Sequence, residues 1–175
     1  MSDQTRPTRI LIAGGGTGGH VLPAIAVIEE LRRRKVPHEL LWVGGKNGVE
    51  RRLANENDVP FVAISTGKLR RYLSFQNFVD VLRVPVGIVS GWWQVRKFRP
   101  DVIFSTGGAV SVPTLVLGHR IAPVLTHEQT AQVGLANRTA ARFAATFAVG
   151  YEEAATIARK YAKHVVVTGN PVLRR

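Results

Sequence analysis

The chain reads as an α/β protein built on a doubly wound parallel sheet, and three observations predict it. Short, uninterrupted apolar runs alternate with helical patterns along the 175 residues, as strands do when helices cover both faces of their sheet. Glycine clusters at 14–19 and 107–108 directly follow two of those runs, where strands turn into helices. No run of about 20 apolar residues is present, so nothing is expected to span a membrane.

The elements follow in order. Residues 9–13 (RILIA) form the first strand and end in glycines. Ile25, Ile28 and Leu31 share one face of a helix over 23–34, with Pro23 at its start. Residues 39–43 (ELLWV) are the second strand, 49–57 a short charged helix and 61–64 the third strand. Ser74 is the cap of a longer, irregular helical segment reaching about Lys97, which Pro85 is expected to break. Residues 102–104, 124–126, 146–149 and 165–167 complete the strands. The string Thr17-Gly18-Gly19 recurs as Thr106-Gly107-Gly108, each copy after a strand and before an apolar helix with a proline.

Composition narrows the classes. Apolar residues at 45% and charged residues at 21% are those of a globular protein, which excludes disorder, collagen and a coiled coil. The absence of Cys removes disulfides, zinc–thiolate sites and a catalytic thiol. With the polar start MSDQTRPTR, a secretory signal is not expected. Charge is uneven: of the net +12, ten bases against three acids fall between residues 59 and 151. Such a bias calls for an anionic partner. The bases are not grouped on a helix-turn-helix and no stacking platform is evident, so a nucleic-acid-binding module is only the alternative from another class.

The first glycine loop is the leading candidate site. Glycines let a ligand approach the main chain, and free N–H groups at a helix start favour phosphate by about 0.3–1 kcal/mol. In open α/β sheets ligands sit at this carboxyl edge. The loop lacks the Gly-Lys-Ser/Thr of a Walker motif. The acidic residue a dinucleotide site needs after the second strand is replaced by Gly44-Gly45-Lys46, so NAD is not expected. His20 stands where the positive helix end favours a neutral imidazole, which can accept a proton or merely cap the helix. Thr126 to Gln129 are four polar residues at a strand's carboxyl end. No His/Asp cluster has ligand spacing, so neither a metal nor another cofactor is expected. Lys68, Arg70, Arg71 and Arg83 interleave with Phe75, Phe78, Val79 and Leu82, followed by Trp92 and Trp93. That mixture suits an anionic membrane surface.

Together the motifs resemble the amino-terminal half of the MurG family of peptidoglycan glycosyltransferases. The match runs through residues 14–20 with Pro23, 48–50, 67–72, 105–108 with Val110 and Ser111, 127–129, 134–138 and 168–172. The resemblance implies a Rossmann-like domain over 1–167, the amino-terminal half of a B-type glycosyltransferase fold, with 168–175 opening the linker to a second, donor-binding domain absent from this chain, as a truncation or a split subunit. It implies inverting, metal-independent transfer of N-acetylglucosamine from UDP-N-acetylglucosamine to lipid I, a polyprenyl-diphosphate-linked acceptor, giving lipid II. The work is expected at the cytoplasmic face of the membrane, with this chain alone inactive. The alternative is a related transferase on another polyprenyl or lipid acceptor. Thr17, Gly18, Gly19, Gly107 and Gly108 would lie near phosphates, His20 would be a candidate base, and His127, Glu128, Gln129, Thr130 and Arg174 would line the cleft. Thr130 stands where the family usually has Asn, Ala109 where it has an aromatic, and Leu173 where it has Arg.

Overall fold

A computed structural model describes residues 6–65 and 75–173, the side chains of 75–83 excepted. Among the described residues seven strands and six helices alternate: β1 Thr8–Gly14, α1 Gly18–Arg33, β2 His38–Gly45, α2 Val49–Glu56, β3 Phe61–Ile64, α3 Phe75–Phe98, β4 Val102–Gly107, α4 Val112–Gly118, β5 Val124–Glu128, α5 Leu135–Ala141, β6 Thr146–Val149, α6 Glu152–Ala158 and β7 Val165–Val167. The strands form one sheet in the order β3-β2-β1-β4-β5-β6-β7. Every pairing is parallel. Strand order reverses between β1 and β4, so their carboxyl ends open the crevice in which such sheets bind ligands.

The pleat explains the apolar runs. Leu11, Ala13, Val43, Ile64, Ile103 and Val124 join Val95, Phe98 and Leu115 on one face. Ile12, Trp42 and Phe104 meet Val21, Ile25, Ile28 and Ala54 on the other. Successive residues of one strand thus enter opposite cores. Each large side chain so buried contributes about 1.5–3 kcal/mol. Trp42 is fully buried, and its indole N–H donates to the Gly14 carbonyl at 3.0 Å. That bond ties β2 to the end of β1, where the glycine loop starts. Trp42→Phe removes the donor and strands a buried acceptor. It is expected to lower stability by about 2–4 kcal/mol in urea unfolding.

Two helix boundaries differ from the sequence expectation. The first helix begins at Gly18, five residues before Pro23, which lies inside it. Pro23 has no N–H, so the Gly19 carbonyl one turn earlier loses its helical partner, but the ring fits against the buried face. Pro85 likewise does not break α3, which runs unbroken for 24 residues, about 36 Å. The segment around Ser74 lies outside the described residues. The two Thr-Gly-Gly strings are not equivalent: Thr17 precedes the helix as its N-cap, whereas Thr106 and Gly107 are the last residues of β4. A register shift between Ala13 and Gly14 brings Gly14 opposite Gly107.

Candidate active site

The two glycine loops meet at the strand-order reversal. The Gly15 N–H donates to the Gly107 carbonyl at 3.3 Å. Gly107 and Gly108 have φ of +92° and +82°, and a Cβ on Gly108 would overlap the Gly15 carbonyl. Only glycine at 108 lets the loops touch. The Ser111 hydroxyl donates to the Gly108 carbonyl at 2.9 Å and pins the second loop. Among the described residues, the N–H groups of Thr17, Gly18 and Gly19 on one loop and of Gly108, Ala109 and Val110 on the other have no acceptor. Six such donors around one crevice, three of them at a helix start, are an arrangement chemically suited to anionic oxygens.

His20 lies between the loops. Its Nδ1 is 3.0 Å from the Thr106 carbonyl oxygen. A carbonyl only accepts, so Nδ1 carries the hydrogen and Nε2 is left with a lone pair. Gln129 reinforces this tautomer. Its Nε2 donates to the carbonyls of Thr106 at 2.9 Å and His127 at 3.0 Å. Both amide hydrogens are thereby engaged, and Oε1 turns to His20 Nδ1 at 3.3 Å. A base held by one nitrogen and free at the other is the arrangement that accepts a proton from a hydroxyl.

The structure sorts the polar residues at the end of β5. Gln129 alone of the trio reaches His20. His127 and Glu128 are each 3% exposed and turn inward. His127 Nε2 donates to the Gly169 carbonyl at 3.1 Å, and desolvation holds its pKa below the ordinary histidine value. Glu128 receives the N–H and hydroxyl of Thr130 at 3.0 and 2.9 Å, the Gly134 N–H at 3.0 Å and Asn137 Nδ2 at 2.9 Å. These two residues therefore support the loop from beneath rather than present side chains to a ligand. Their inward turn follows from β5 being covered on both faces. Asn170 Nδ2 donates to the Gln129 carbonyl at 2.9 Å, which ties the segment after β7 to the site.

Lys68, Arg70, Arg71 and Arg174 lie outside the described residues. Phe75, Phe78, Val79, Leu82 and Arg83 stand in the first turns of α3, with side chains outside the description. That end of α3 follows β3 and so lies at the carboxyl edge, with the glycine loops. Arg96, Lys97 and Arg99 are at the other end, where with Arg9 and the exposed Trp93 they line a cavity of about 430 Å³. Arg96 and Lys97 thus stand at the end of α3 away from Phe75 and Phe78. Arg96 and Lys97 occupy the last turn of α3, where bases complement the negative helix end.

Residues 10–149 match the family model described as the glycosyltransferase family 28 N-terminal domain. The chain belongs to that family. It is 37% identical over 167 residues to the UDP-N-acetylglucosamine–N-acetylmuramyl-(pentapeptide) pyrophosphoryl-undecaprenol N-acetylglucosamine transferase of Borreliella burgdorferi, with 94% of this chain and 46% of the relative covered. A Bacillus thuringiensis relative of the same name is 40% identical over 166 residues, again covering 94% and 46%. The chain spans about half the length of the curated relatives it matches. The crystal structure of Acinetobacter baumannii MurG superposes with a TM-score of 0.74 at 25% identity, over 97% of this chain and 47% of that one. A UDP-N-acetylglucosamine 2-epimerase from Listeria monocytogenes, at 9% identity and a TM-score of 0.66, shares the fold alone. The family's doubly wound half-fold is thus the one the strand pattern predicts. Among the described residues no helix is long and apolar enough to cross a membrane.

Proposed function

We propose that this chain is the acceptor- and membrane-binding domain of an inverting glycosyltransferase that moves N-acetylglucosamine from UDP-N-acetylglucosamine to lipid I. The observation that carries the reading is the crevice itself: among the described residues, two loops of amides without acceptors flank an imidazole whose Nε2 has no partner. Relatives named for this transfer, at 37–40% identity, supply the reaction. In this reading the acceptor diphosphate lies against the amides of Thr17, Gly18, Gly19, Gly108, Ala109 and Val110. The acceptor sugar hydroxyl faces His20 Nε2, which takes its proton as the hydroxyl oxygen attacks the anomeric carbon and UDP departs. Gln129 holds the imidazole, and Thr130 stands at the rim. In the same reading residues 1–167 are the acceptor domain, and 168–175 open the linker to a second, donor-binding domain. A fluorescent short-chain lipid I analogue tests the reading: the chain is expected to bind it and to ignore the same analogue without its diphosphate. Equal binding of both would contradict it.

A polyprenyl tail keeps the acceptor in the bilayer, so the carboxyl edge has to meet the membrane surface. Lys68, Arg70, Arg71 and Arg83 supply about 1 kcal/mol each near an anionic leaflet, up to roughly a thousandfold in partitioning. Phe75, Phe78, Val79 and Leu82 supply apolar contact. The site thereby sits at the cytoplasmic face, as a peripheral protein. Co-sedimentation with phosphatidylglycerol vesicles should exceed that with phosphatidylcholine and weaken with salt. Reversing Arg70, Arg71 and Arg83 to Glu should abolish the preference. Equal sedimentation with both vesicles would remove the basic stretch from the membrane.

A further inference from the structure

Glu50 is a carboxylate that the chemistry above does not use, and it is fully buried. It is the second residue of α2, behind the Gly48 N-cap. Among the described residues no Lys, Arg or His nitrogen lies within 4 Å of it. Its two oxygens take two backbone donors from two different strand ends. Oε2 accepts the Gly16 N–H of the first glycine loop at 2.9 Å. Oε1 accepts the Gly45 N–H at the end of β2, also at 2.9 Å. Three glycines from three segments make room for this one group: a Cβ on Gly15, Gly44 or Gly48 would run into the Glu50 side chain. A buried carboxylate without a cation is costly, so a cradle shaped for it points to work at the loop it holds.

We infer that Glu50 is the positioning residue of the first glycine loop, fixing the Gly15–Gly16 turn so that the next three amides converge on the acceptor diphosphate. The inference rests on the phosphate reading of the crevice. By taking the Gly16 N–H, Glu50 removes that donor from the ligand and fixes where the loop's free donors begin, at Thr17. Gly16 sits at φ +88° with nothing within 4 Å of where a Cβ would be. What ties its backbone to the rest of the fold is the N–H bond to Glu50. A carboxylate is required because two donors approach it. The isosteric amide of Gln offers one oxygen, and its NH₂ would face the other N–H. Asp is one methylene short of spanning both.

The test titrates inorganic pyrophosphate into ¹⁵N-labelled wild type, Glu50→Gln and Glu50→Asp, with far-UV circular dichroism and methyl spectra reporting the fold. Wild type is expected to show pyrophosphate-dependent shifts at Thr17, Gly18 and Gly19 and at Gly108, Ala109 and Val110. Glu50→Gln is expected to stay folded, to displace the Gly16 and Gly45 amide resonances, and to lose about tenfold in affinity read at the first loop. The second loop reports the same weakened affinity but keeps its resting amide shifts, which a general loss of stability would not allow. If Glu50→Gln does not fold, Glu50→Asp answers the same question, because it keeps the charge and breaks the span. Wild-type affinity with unmoved Gly16 and Gly45 resonances in the folded variants would overturn the inference. If pyrophosphate leaves wild type unperturbed, the phosphate reading fails on its own. The Gly16, Gly45 and His20 ring ¹⁵N shifts of the variants then still decide Glu50: displaced shifts uphold its hold on the loop, and unchanged shifts overturn it.

Discussion

The 175 residues assayed alone are expected to give no steady transfer from radiolabelled UDP-N-acetylglucosamine to a short-chain lipid I analogue. The six unpaired amides and His20 can place one reactant. Nothing in the crevice as described offers a second nucleotide-sized cradle, and the relatives have about as much chain again. Holding two reactants in register is worth roughly 7–11 kcal/mol, so losing one partner's cradle removes on the order of 10⁵-fold or more. Product is counted as radioactivity in the lipid fraction. Steady turnover by the pure chain would mean that both substrates bind here and would overturn the division of labour.

His20→Ala, placed in an active enzyme containing these residues, is expected to lower kcat by about 10²–10⁴. The cause is specific: the Thr106 carbonyl fixes the Nδ1–H tautomer, so Nε2 is the nitrogen able to take the proton. Acceptor KM is measured alongside, since a residue that only oriented the diphosphate would raise KM and leave kcat. Gln129→Ala is expected to do less, about tenfold, because His20 keeps its bond to Thr106 O. Near-native turnover of His20→Ala would remove it as the base.

The strands were legible because each is a short apolar run, and β3, β6 and β7 match their expected ranges residue for residue. A strand covered on both faces needs apolar residues at every position, which leaves a continuous signal. The helices were less legible where proline misled. Pro23 and Pro85 read as a start and a break, but burial on α1 and the length of α3 outweigh one missing N–H. The helices α5 and α6 carry alanines in place of large apolar residues, so no periodic stripe marks them. Of the site, the loop glycines and His20 stood out because glycine between strand and helix implies open backbone. Glu50 entered only within the 48–50 match and with no role of its own, because α2 reads as a short charged helix. Its signal lay in its neighbours, with Gly44, Gly45 and Gly48 all within six residues of it. The inward turn of His127 and Glu128 depends on β6 and on the segment through Gly169, which no local pattern reveals.

The central claim is that the crevice between β1 and β4 takes the acceptor diphosphate and not the nucleotide donor. The most direct measurement is a ¹⁵N titration of the chain with a short-chain lipid I analogue and, separately, with UDP-N-acetylglucosamine. The acceptor is expected to shift the amides of Thr17, Gly18, Gly19, Gly108, Ala109 and Val110 together with the His20 ring, while the donor leaves them in place. Shifts at those groups with UDP-N-acetylglucosamine, and none with the lipid I analogue, would contradict it.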